Sequence, residues 1–481
     1  MAQDLRTYLD QLLAKHPEQL KIVEDEVDPE FEATAIVDKI QNDPDYPGFP
    51  AVLFKNIKGS RIPLLLNLHG SYDRVALAIG SGVHGMVEEY AKREGSGIPT
   101  TEVSSEQAPV HEVVHTGDDI DLGELPFLVH QELDAGKYIT SAATISRDPD
   151  SGRLNAGIFR HQVQGAKQVG FMTNPAHHTS YILRNLRDQG RKMEVALVIG
   201  HHPAMLMGAV SKLPGIGGEL EAMGGLLGES IEVVKCKTVD LHVPASAEIV
   251  IEGVVDTDPD KVQHEGPFGE YPLYYTRIGP MPWVQVTAVT MRHDPIYVDV
   301  FNAHSEHLVL GALPRMGSIY RRVREAMPTV TAVNLPLYGI RSALFIQMNK
   351  KVDGEPKIAA SAAFAVDPIL KHIWVVDDDI DVFSQDQVLW AMTTRFQADR
   401  DLVIMPNFLG GHLNPVTYGF HREEKGPMET KLILDCTLPA PPEHFPQKCR
   451  VPPEVVERVQ PSQLLRDYQP GTKLSTDLTG S

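Results

Sequence analysis

The chain has 481 residues, 42% of them hydrophobic and 22% charged, which is ordinary for a globular enzyme with room for two or three domains. Its 44 Lys and Arg residues against 64 Asp and Glu residues give a net charge of −20. That charge argues against nucleic acid or an anionic membrane surface as the main partner.

The cysteines and the start of the chain bear on the cellular compartment. Cys236, Cys436 and Cys449 are too scattered for a disulfide framework or a thiolate zinc site, so a reducing compartment is indicated. The opening MAQDLRTYLDQLL lacks the basic and apolar regions of a secretory signal. The chain contains no run of about 18 apolar residues that could span a membrane. We therefore expect a cytoplasmic protein.

Residues 1–110 alternate between helical and extended patterns. The chain opens with an amphipathic helix that Asp4 can cap. The apolar face of this helix consists of Leu5, Tyr8, Leu9, Leu12 and Leu13. Residues 51–59 and 62–70 follow as buried strands that end at glycine, and residues 83–94 have helical character. This alternation predicts a small N-terminal α/β domain.

Short β-rich runs dominate residues 111–312. They lie at 195–200, 231–243, 248–255 and 283–291. Many short strands with few long helices predict a barrel or a sandwich for this central domain.

Residues 313–481 return to an α/β pattern. An apolar strand that runs into an acidic loop is predicted at 372–383, and a helix is predicted at 386–396. The Pro-rich tail from residue 439 is expected to be an extended arm, either packed on a neighbour or loosely held.

The segment HEVVH at 111–115 matches the zinc-peptidase pattern HExxH. That chemistry needs both histidines on one face of a helix. Pro109 precedes the segment, two valines fill it and a turn signal follows at 116–119, so we predict a short strand and a turn instead.

The segment GSGVHG at 80–85 matches the dinucleotide pattern GxGxxG. A nucleotide site needs this pattern between a strand and a helix, with an acidic residue about 20 positions later. Residues 74–80 fit a helix as well as a strand, and 95–103 contain no clean second strand. We interpret these glycines as residues of a connection between two helices.

Three clusters combine polar side chains with Gly and Pro, at 154–165, 172–178 and 264–275. The first is expected on a barrel strand, the second holds two adjacent histidines in a turn-rich segment, and the third holds two glutamates on a loop. Each cluster alone is also compatible with surface ion pairs, capped turn histidines or solvated loop charges.

Taken together, these clusters resemble the UbiD family of prenylated-flavin decarboxylases. The resemblance covers nearly the whole chain, and its most specific part is VVKCKTVDLHVPASAEIVIEG at 233–253, with WAMTTR at 390–395. It implies an α/β and α+β multidomain fold, in which N- and C-terminal α/β domains flank a central flavin-reductase-like split β-barrel.

The resemblance implies prenylated FMN as the cofactor, with Mn²⁺ or Mg²⁺ under its phosphate, and it leaves a potassium ion open. Asn155, His178 and Glu219 match the metal-binding positions, and amide, imidazole and carboxylate ligands suit such ions. Glu219 is matched by counting back from the VVKC run, and Glu221 is the alternative. His178 departs from some members, which have Gly there. The expected cofactor contacts are Ile158, Phe159, Arg160, Met172, Thr173, His177 and His178.

Arg160, Glu265 and Glu270 match the catalytic network of the family. Decarboxylation needs an electron sink, which the family's cofactor supplies through a covalent adduct with the unsaturated carbon of the substrate. Glu270 is the candidate acid that returns a proton to that carbon. Glu265 is expected to pair with Arg160 and orient it. The resemblance thus predicts a reversible, non-oxidative decarboxylation.

Residues 299–318 are expected to line the substrate side of the pocket and resemble the aromatic and heteroaromatic acid branch of the family. His307 and Arg315, eight residues apart, resemble a His/Arg pair that grips the second carboxylate of the substrate in the furan-dicarboxylate decarboxylases of the family. An arginine suits that role, because its planar guanidinium group can form two parallel hydrogen bonds with a carboxylate. Furan-2,5-dicarboxylate is therefore the lead substrate. Alternatively, Arg315 joins Arg321 and Arg322 on a solvated helix face, and the acid is a pyrrole, indole or hydroxybenzoate type.

Two other classes of protein remain as alternatives. A flavin oxidoreductase on the same barrel requires a nicotinamide site, and no motif for one is found. A non-catalytic flavin-binding subunit is disfavoured by the intact set of Arg160, Glu265 and Glu270. The resemblance further implies a flavin prenyltransferase as cofactor supplier, and a homo-oligomer, either a dimer or a hexamer, assembled through the C-terminal domain.

Overall fold

The computed structural model divides the chain into two compact units, Met1–Ser318 and Ile319–Ser481. The residues it describes are 3–173, 177–213, 215–417, 427–440 and 444–464. Among these residues, no helix combines the length and the apolar character needed to cross a membrane. The domain borders expected at 110/111 and 312/313 stay predictions.

The helices that begin in the first unit include the predicted N-terminal helix. In chain order they are α1 Leu5–Lys15, α2 Glu32–Ile40, α3 Tyr72–Ala78, α4 Met86–Glu94, α5 His178–Asp188, α6 Ala204–Ala209, α7 Glu219–Leu227 and α8 Ser305–Ala326. Asp4 caps α1 by accepting the backbone N–H of Thr7 at 2.9 Å. Leu13, expected on the buried face, is 42% exposed. It lies at the edge of the apolar stripe, about 80° around the helix from Leu5.

The strands of the first unit are short and numerous. In chain order they are β1 Leu20–Val27, β2 Ala51–Ile57, β3 Leu64–Leu66, β4 Thr101–Glu102, β5 Val113–Thr116, β6 Tyr138–Ile139, β7 Ala143–Arg147, β8 Leu154–Ile158, β9 His161–Gly165, β10 Gln168–Gly170, β11 Met193–Ile199, β12 Glu232–Lys235, β13 His242–Pro244, β14 Ile249–Val255, β15 Gln263–Glu265, β16 Gly279–Met281, β17 Trp283–Met291 and β18 Tyr297–Val298. The buried strands predicted at 51–59 and 62–70 are confirmed as β2 and β3.

The N-terminal sheet has the strand order β1-β2-β3-β18. β1 pairs with β2 in parallel, β2 with β3 antiparallel, and β3 with β18 in parallel. Apolar side chains from this sheet share one continuous hydrophobic core with α5 and with the central strands β11, β14 and β17.

The central sheet has the strand path β6-β9-β10-β17-β14-β11-β7-β8, and β5 also pairs with β17. β8 ends one side of this path, while β9 lies next to the opposite end. Only Phe159 and Arg160 separate β8 from β9 along the chain. The sheet must therefore curl until its ends approach each other, and a hydrogen bond of 2.9 Å between Thr144 Oγ1 on β7 and His161 Nε2 on β9 crosses this seam. This curled sheet confirms the predicted split-barrel architecture.

The run at 231–243, expected within the barrel domain's strands, lies outside the central sheet. β12 and β13 pair with each other, and β4 adds to them as a third strand. Cys236 donates its backbone N–H to the carbonyl of Leu241 at 2.9 Å, which closes a hairpin turn in the middle of the run. The strands predicted in this run are therefore present, and they form a small sheet of their own with β4.

Both rejected motifs have the predicted local structure. His111 ends a single 3₁₀ turn, Pro109–His111, and His115 pairs with Val289 on the antiparallel strand β17, so HEVVH is not helical. Gly80 has a φ of 64° and lies between α3 and the 3₁₀ turn Val83–Gly85, which leads into α4. The glycines of GSGVHG lie in the connection between α3 and α4, as predicted.

The second unit is built on one mixed sheet. Its strands are β19 Val330–Asn334, β20 Ala343–Met348, β21 His372–Asp377, β22 Leu402–Leu409 and β23 Met428–Asp435, and its helices are α9 Glu355–Val366, α10 Gln385–Arg395, α11 Ala398–Asp401, α12 Pro453–Arg458 and α13 Pro461–Leu464. The strand order is β19-β20-β21-β23-β22, with β20, β21 and β23 parallel.

The parallel strands β20 and β21 are joined through α9, as an α/β unit requires. The strand predicted at 372–383 and the helix predicted at 386–396 correspond to β21 and α10. In the Pro-rich tail, the described residues 444–464 are mostly exposed and include the short helices α12 and α13, so the arm is not wholly extended. Its packing on a neighbour stays a prediction.

Candidate active site

Arg160 lies at the seam of the central sheet and holds two glutamates. Its Nε and Nη2 donate to Glu265 Oε1 and Oε2 at 2.9 and 2.7 Å. Its Nη1 donates to Glu270 Oε1 at 2.9 Å. The fork to Glu265 is bidentate, the strongest geometry for an Arg–carboxylate pair. The three residues expected to form the catalytic network are therefore in direct contact.

The network is nearly closed to solvent. The side chains of Arg160, Glu265 and Glu270 are 6%, 1% and 13% exposed. Burial disfavours the guanidinium charge, but Glu270 and Glu265 outweigh that effect and raise the pKa of Arg160. One positive charge faces two carboxyl groups, so a proton placed on one of them leaves the network neutral. Glu270 makes a single contact with Arg160 and is the more exposed of the two glutamates.

Aromatic packing fixes the plane of Arg160. Its guanidinium carbon lies 5.1 Å from the centre of the Phe268 ring. Phe268 is fully buried, and its ring centre lies 4.2 Å from that of Tyr138. Burial, with the charge of Glu265 nearby, raises the pKa of Tyr138 well above its ordinary value. Sequence reasoning missed both aromatic residues as supports, although Phe268 stands inside the motif that carries the two glutamates.

The candidate metal ligands come from three elements that contact one another. On β8, Asn155 Nδ2 donates to Thr179 Oγ1 at 3.1 Å, which ties the strand to the start of α5. The next residue, Ala156, donates its backbone N–H to Glu219 Oε2 at 3.2 Å. Glu219 is the first residue of α7. The amide of Asn155 and the carboxyl group of Glu219 therefore meet at one end of β8.

Two observations fit a cation at this end of the strand. Asn155 is 2% exposed, and its Oδ1 is buried without a hydrogen-bond partner among the described residues. Burial is the main reason why the pKa of Glu219 rises to about 7, and it outweighs the hydrogen bond from Ala156 and the charge of Arg153, which oppose that rise. A cation at this place would therefore stabilise the carboxylate. No group of three or more His, Cys, Asp or Glu side chains that could hold a metal occurs in the described part of the chain. A mixed set with an Asn ligand is compatible with that result.

The remaining metal candidates differ in exposure. His178 begins α5 and is exposed, and its neighbour Thr179 is the residue bonded to Asn155. Glu221, the alternative to Glu219, is half-buried, and its Cβ would lie 3.3 Å from a Cβ added at Gly97. Glu219 therefore faces β8, whereas Glu221 packs beside the segment before β4.

The candidate cofactor contacts flank the same seam. Ile158 is half-buried at the end of β8, and Phe159 is buried with its ring centre 5.7 Å from that of His177. Met172 donates its backbone N–H to the carbonyl of Arg160 at 3.4 Å. Thr173 follows, half-buried. Residues 174–176 of this cluster lie outside the described residues.

The candidate substrate residues both lie on α8. His307 stands edge-on to Tyr271, with ring centres 6.3 Å apart, and Tyr271 follows Glu270 directly. Arg315 is 8% exposed, whereas Arg322 is exposed. Arg315 is therefore not part of a solvated helix face, and that alternative is wrong.

A buried acid whose role sequence reasoning missed, Glu306, holds the start of α8. Glu306 is fully buried and accepts the backbone N–H groups of Asn67, His69 and Phe301 at 2.9, 3.1 and 2.9 Å. The sequence offered no periodic signal for this role, because two of the three donors, Asn67 and His69, lie more than 230 residues away along the chain.

Family models match most of the chain. The N-terminal, Rift-related and C-terminal domains of 3-octaprenyl-4-hydroxybenzoate carboxy-lyase (UbiD) match residues 12–94, 101–305 and 308–436. Anhydromevalonate phosphate decarboxylase of Methanothermobacter thermautotrophicus is 31% identical over 438 residues, which are 90% of this chain and 97% of that protein.

Solved structures agree with the fold. The UbiD-class enzyme HmfF from Pelotomaculum thermopropionicum in complex with FMN is 38% identical, with a TM-score of 0.88, over 96% of this chain and 100% of that one. An evolved dimeric form of HmfF in complex with prFMN gives 37% identity and a TM-score of 0.85 over the same shares. Apo 3,4-dihydroxybenzoic acid decarboxylase (AroY) from Klebsiella pneumoniae is 28% identical, with a TM-score of 0.85, over 96% and 99% of the two chains.

Proposed function

This chain belongs to the UbiD family of carboxy-lyases, and we propose that it decarboxylates a heteroaromatic acid, with furan-2,5-dicarboxylate as the lead substrate. The observation that carries the proposal is the assembled contact of Arg160 with Glu265 and Glu270 at the barrel seam. Burying three charged side chains carries a desolvation cost. A non-catalytic subunit would have no use for a network with that cost.

Prenylated FMN, when bound, supplies the electron sink that decarboxylation needs and that side chains lack. Around it, Arg160 is held by Glu265 through two hydrogen bonds and directs its remaining N–H donors towards Glu270 and the site. We assign Glu270 the proton that returns to the substrate carbon after CO₂ leaves. After this transfer Glu270 is a carboxylate beside the positively charged Arg160. Arg160 stabilises that carboxylate until Glu270 takes up the next proton.

We assign Asn155, His178 and Glu219 to a Mn²⁺ or Mg²⁺ ion that binds the phosphate of the cofactor. The buried, unbonded Oδ1 of Asn155 and the buried carboxyl group of Glu219 supply oxygen ligands, which such ions prefer. Ile158 and Phe159, at the far end of β8, are assigned to the cofactor together with Met172, Thr173 and His177.

The dicarboxylate preference is assigned to α8. The ring of His307 packs edge-on against the ring of Tyr271. Tyr271 directly follows Glu270, the proposed proton donor. Arg315 follows His307 eight residues later on the same helix and is buried, and its planar guanidinium group offers the bidentate hydrogen-bonding geometry that suits a second carboxylate of the substrate. A mono-acid would not supply that second carboxylate.

The test is CO₂ release by the full chain co-expressed with a flavin prenyltransferase. The panel contains furan-2,5-dicarboxylate, pyrrole-2-carboxylate, indole-3-carboxylate, 3,4-dihydroxybenzoate and cinnamate. We expect release that requires the prenyltransferase and is fastest with the furan diacid. Release from another acid would overturn the substrate and keep the reaction. A loaded protein that is silent on every acid, or oxidation of NAD(P)H instead, would overturn the decarboxylase assignment for this chain.

A further inference from the structure

Asp134 lies outside the catalytic network and bonds to the loop that carries it. This aspartate belongs to the turn between residues 131 and 136, which precedes β6. Its Oδ1 accepts the backbone N–H of Gly269 at 2.8 Å, and its Oδ2 accepts the backbone N–H of Gln131 at 3.0 Å. Gly269 is the residue immediately before Glu270.

Other contacts show how closely this turn and the loop are packed. Ala135 donates its backbone N–H to the carbonyl of Pro267 at 2.9 Å. A Cβ added at Gly269 would lie 3.0 Å from Cγ of Gln131 and 3.1 Å from Cβ of Ala303. Glycine is therefore the residue that lets the loop approach the turn closely enough for the Asp134 hydrogen bond to form.

The bond has an electrostatic reason to be there. Burial raises the pKa of Asp134, and the N–H groups of Gly269 and Gln131 oppose that rise, as do the charges of His130 and Arg160. A half-buried carboxylate with two backbone donors is a strong acceptor. Without it, the N–H of the buried Gly269 loses its partner, which is costly inside a protein.

We propose that Asp134 is a positioning residue for decarboxylation, which holds Glu270 against Arg160 by anchoring the backbone of Gly269. This inference rests on the proposed function, because it takes Glu270 as the proton donor. The side chain of Asp134 itself touches neither the network nor the substrate in this assignment. Asp134 influences the reaction only by fixing the position of the carboxyl group of Glu270.

The experiment compares Asp134→Ala and Asp134→Asn with the exposed neighbour Glu132→Ala in the cofactor-loaded full chain. We expect Asp134→Ala to lower kcat by at least about tenfold with KM little changed, since small displacements of a catalytic group are costly. Asp134→Asn keeps one acceptor oxygen and should lose less, and Glu132→Ala should match the wild type.

A second measurement does not depend on turnover. Amide hydrogen exchange of the segment that contains Gly269 should speed up at least about tenfold in Asp134→Ala and stay unchanged in Glu132→Ala, because a lost hydrogen bond opens the amide to exchange. An unchanged kcat overturns the positioning role, as does a fall in kcat without faster exchange. If the wild type releases no CO₂, the proposed function fails by itself, and slow exchange that persists in Asp134→Ala would refute the anchor independently.

Discussion

Arg160 binds Glu265 through two parallel hydrogen bonds although 105 residues separate them in the sequence. The pair leaves Nη1 of Arg160 for Glu270, so the two glutamates are not equivalent. Glu265 fixes the orientation of the guanidinium, whereas Glu270 has one oxygen in the ion pair and a carboxyl group that reaches the less enclosed side of the network.

Replacing Glu270 with Gln should remove the proton donor and preserve the shape of the site. We expect turnover to fall by about 10²–10⁴, the usual contribution of a general acid, with flavin content and melting temperature close to those of the wild type. Steady-state CO₂ release and the visible spectrum of the loaded protein measure these effects. Turnover within about threefold of the wild type would remove Glu270 from the assigned role, and Glu132→Gln is the exposed control.

Replacing Glu265 should affect stability as well as activity. Glu265→Ala leaves the buried Arg160 without its bidentate partner, and loss of one member of a buried ion pair typically costs about 3–5 kcal/mol. Glu265→Gln keeps one acceptor and should cost less. Urea denaturation of both variants measures the free energy of unfolding. If the Ala variant is as stable as the wild type, the pair does not stabilise the fold.

The metal assignment predicts a difference between two glutamates two residues apart. Glu219→Gln should lower the bound manganese and flavin at least about tenfold, since a charged oxygen ligand is lost. Glu221→Gln is the matched control and should retain both. Metal analysis and flavin absorbance of purified protein give the answer without an activity assay. The reverse result would move the ligand to Glu221 and show that the sequence match was shifted by two residues.

Arg315 should distinguish a diacid from a mono-acid. Arg315→Gln is expected to raise KM for furan-2,5-dicarboxylate by about 10-fold or more, because a charge-assisted hydrogen bond contributes about 1.5–3 kcal/mol. KM for 2-furoate should change little, and the exposed Arg322→Gln should leave both substrates unaffected. Equal losses with both acids would mean that Arg315 supports α8 rather than the second carboxylate.

Two adjacent buried histidines, His201 and His202, predict a loss of stability in mild acid. Burial lowers their pKa values to about 4 and about 3, below the ordinary value of about 6.5. Between those values the unfolded chain takes up protons that the folded chain does not, so stability is complete above about pH 6.5 and falls as the pH decreases. From pH 7 to pH 5.5 each histidine should cost about 1 kcal/mol.

Urea denaturation at these two pH values measures the slope. His201→Gln should flatten it, since this side chain no longer takes up a proton on unfolding, and the exposed His293→Gln should leave the slope as in the wild type. An identical slope in His201→Gln would show that other groups account for the acid sensitivity.

Local patterns predicted the parts of the fold that depend on local chemistry. Strands such as β2, β14 and β17 are recognisable as apolar runs. The two valines of HEVVH and the preceding Pro109 correctly indicated that this segment is not a helix. The seam of the barrel is different, because nothing in the sequence around β8 and β9 indicates that β8 ends the strand path while β9 lies next to its opposite end. The hairpin within 231–243 is likewise set by where its turn falls rather than by its apolar content.

The candidate site was predictable as a set of residues and not as a geometry. Arg160, Glu265 and Glu270 were named from the sequence, and the structure places them in contact, while their roles stay predictions. Phe268 under Arg160 and Asp134 behind Gly269 escaped notice, because an apolar residue in a loop and an acid in a turn have many ordinary explanations. Their contacts arise only when residues 131–136 meet the loop of residues 266–270.

The two-residue link between β8 and β9 has a consequence for how this chain can evolve. Phe159 and Arg160 both close the sheet and carry a network side chain, so an inserted or deleted residue there changes the barrel closure and the reach of the guanidinium at once. A chain with a longer or shorter link between β8 and β9 would therefore not be expected to keep partial activity. Side-chain changes on α8, to which we assign the substrate preference, leave this closure untouched.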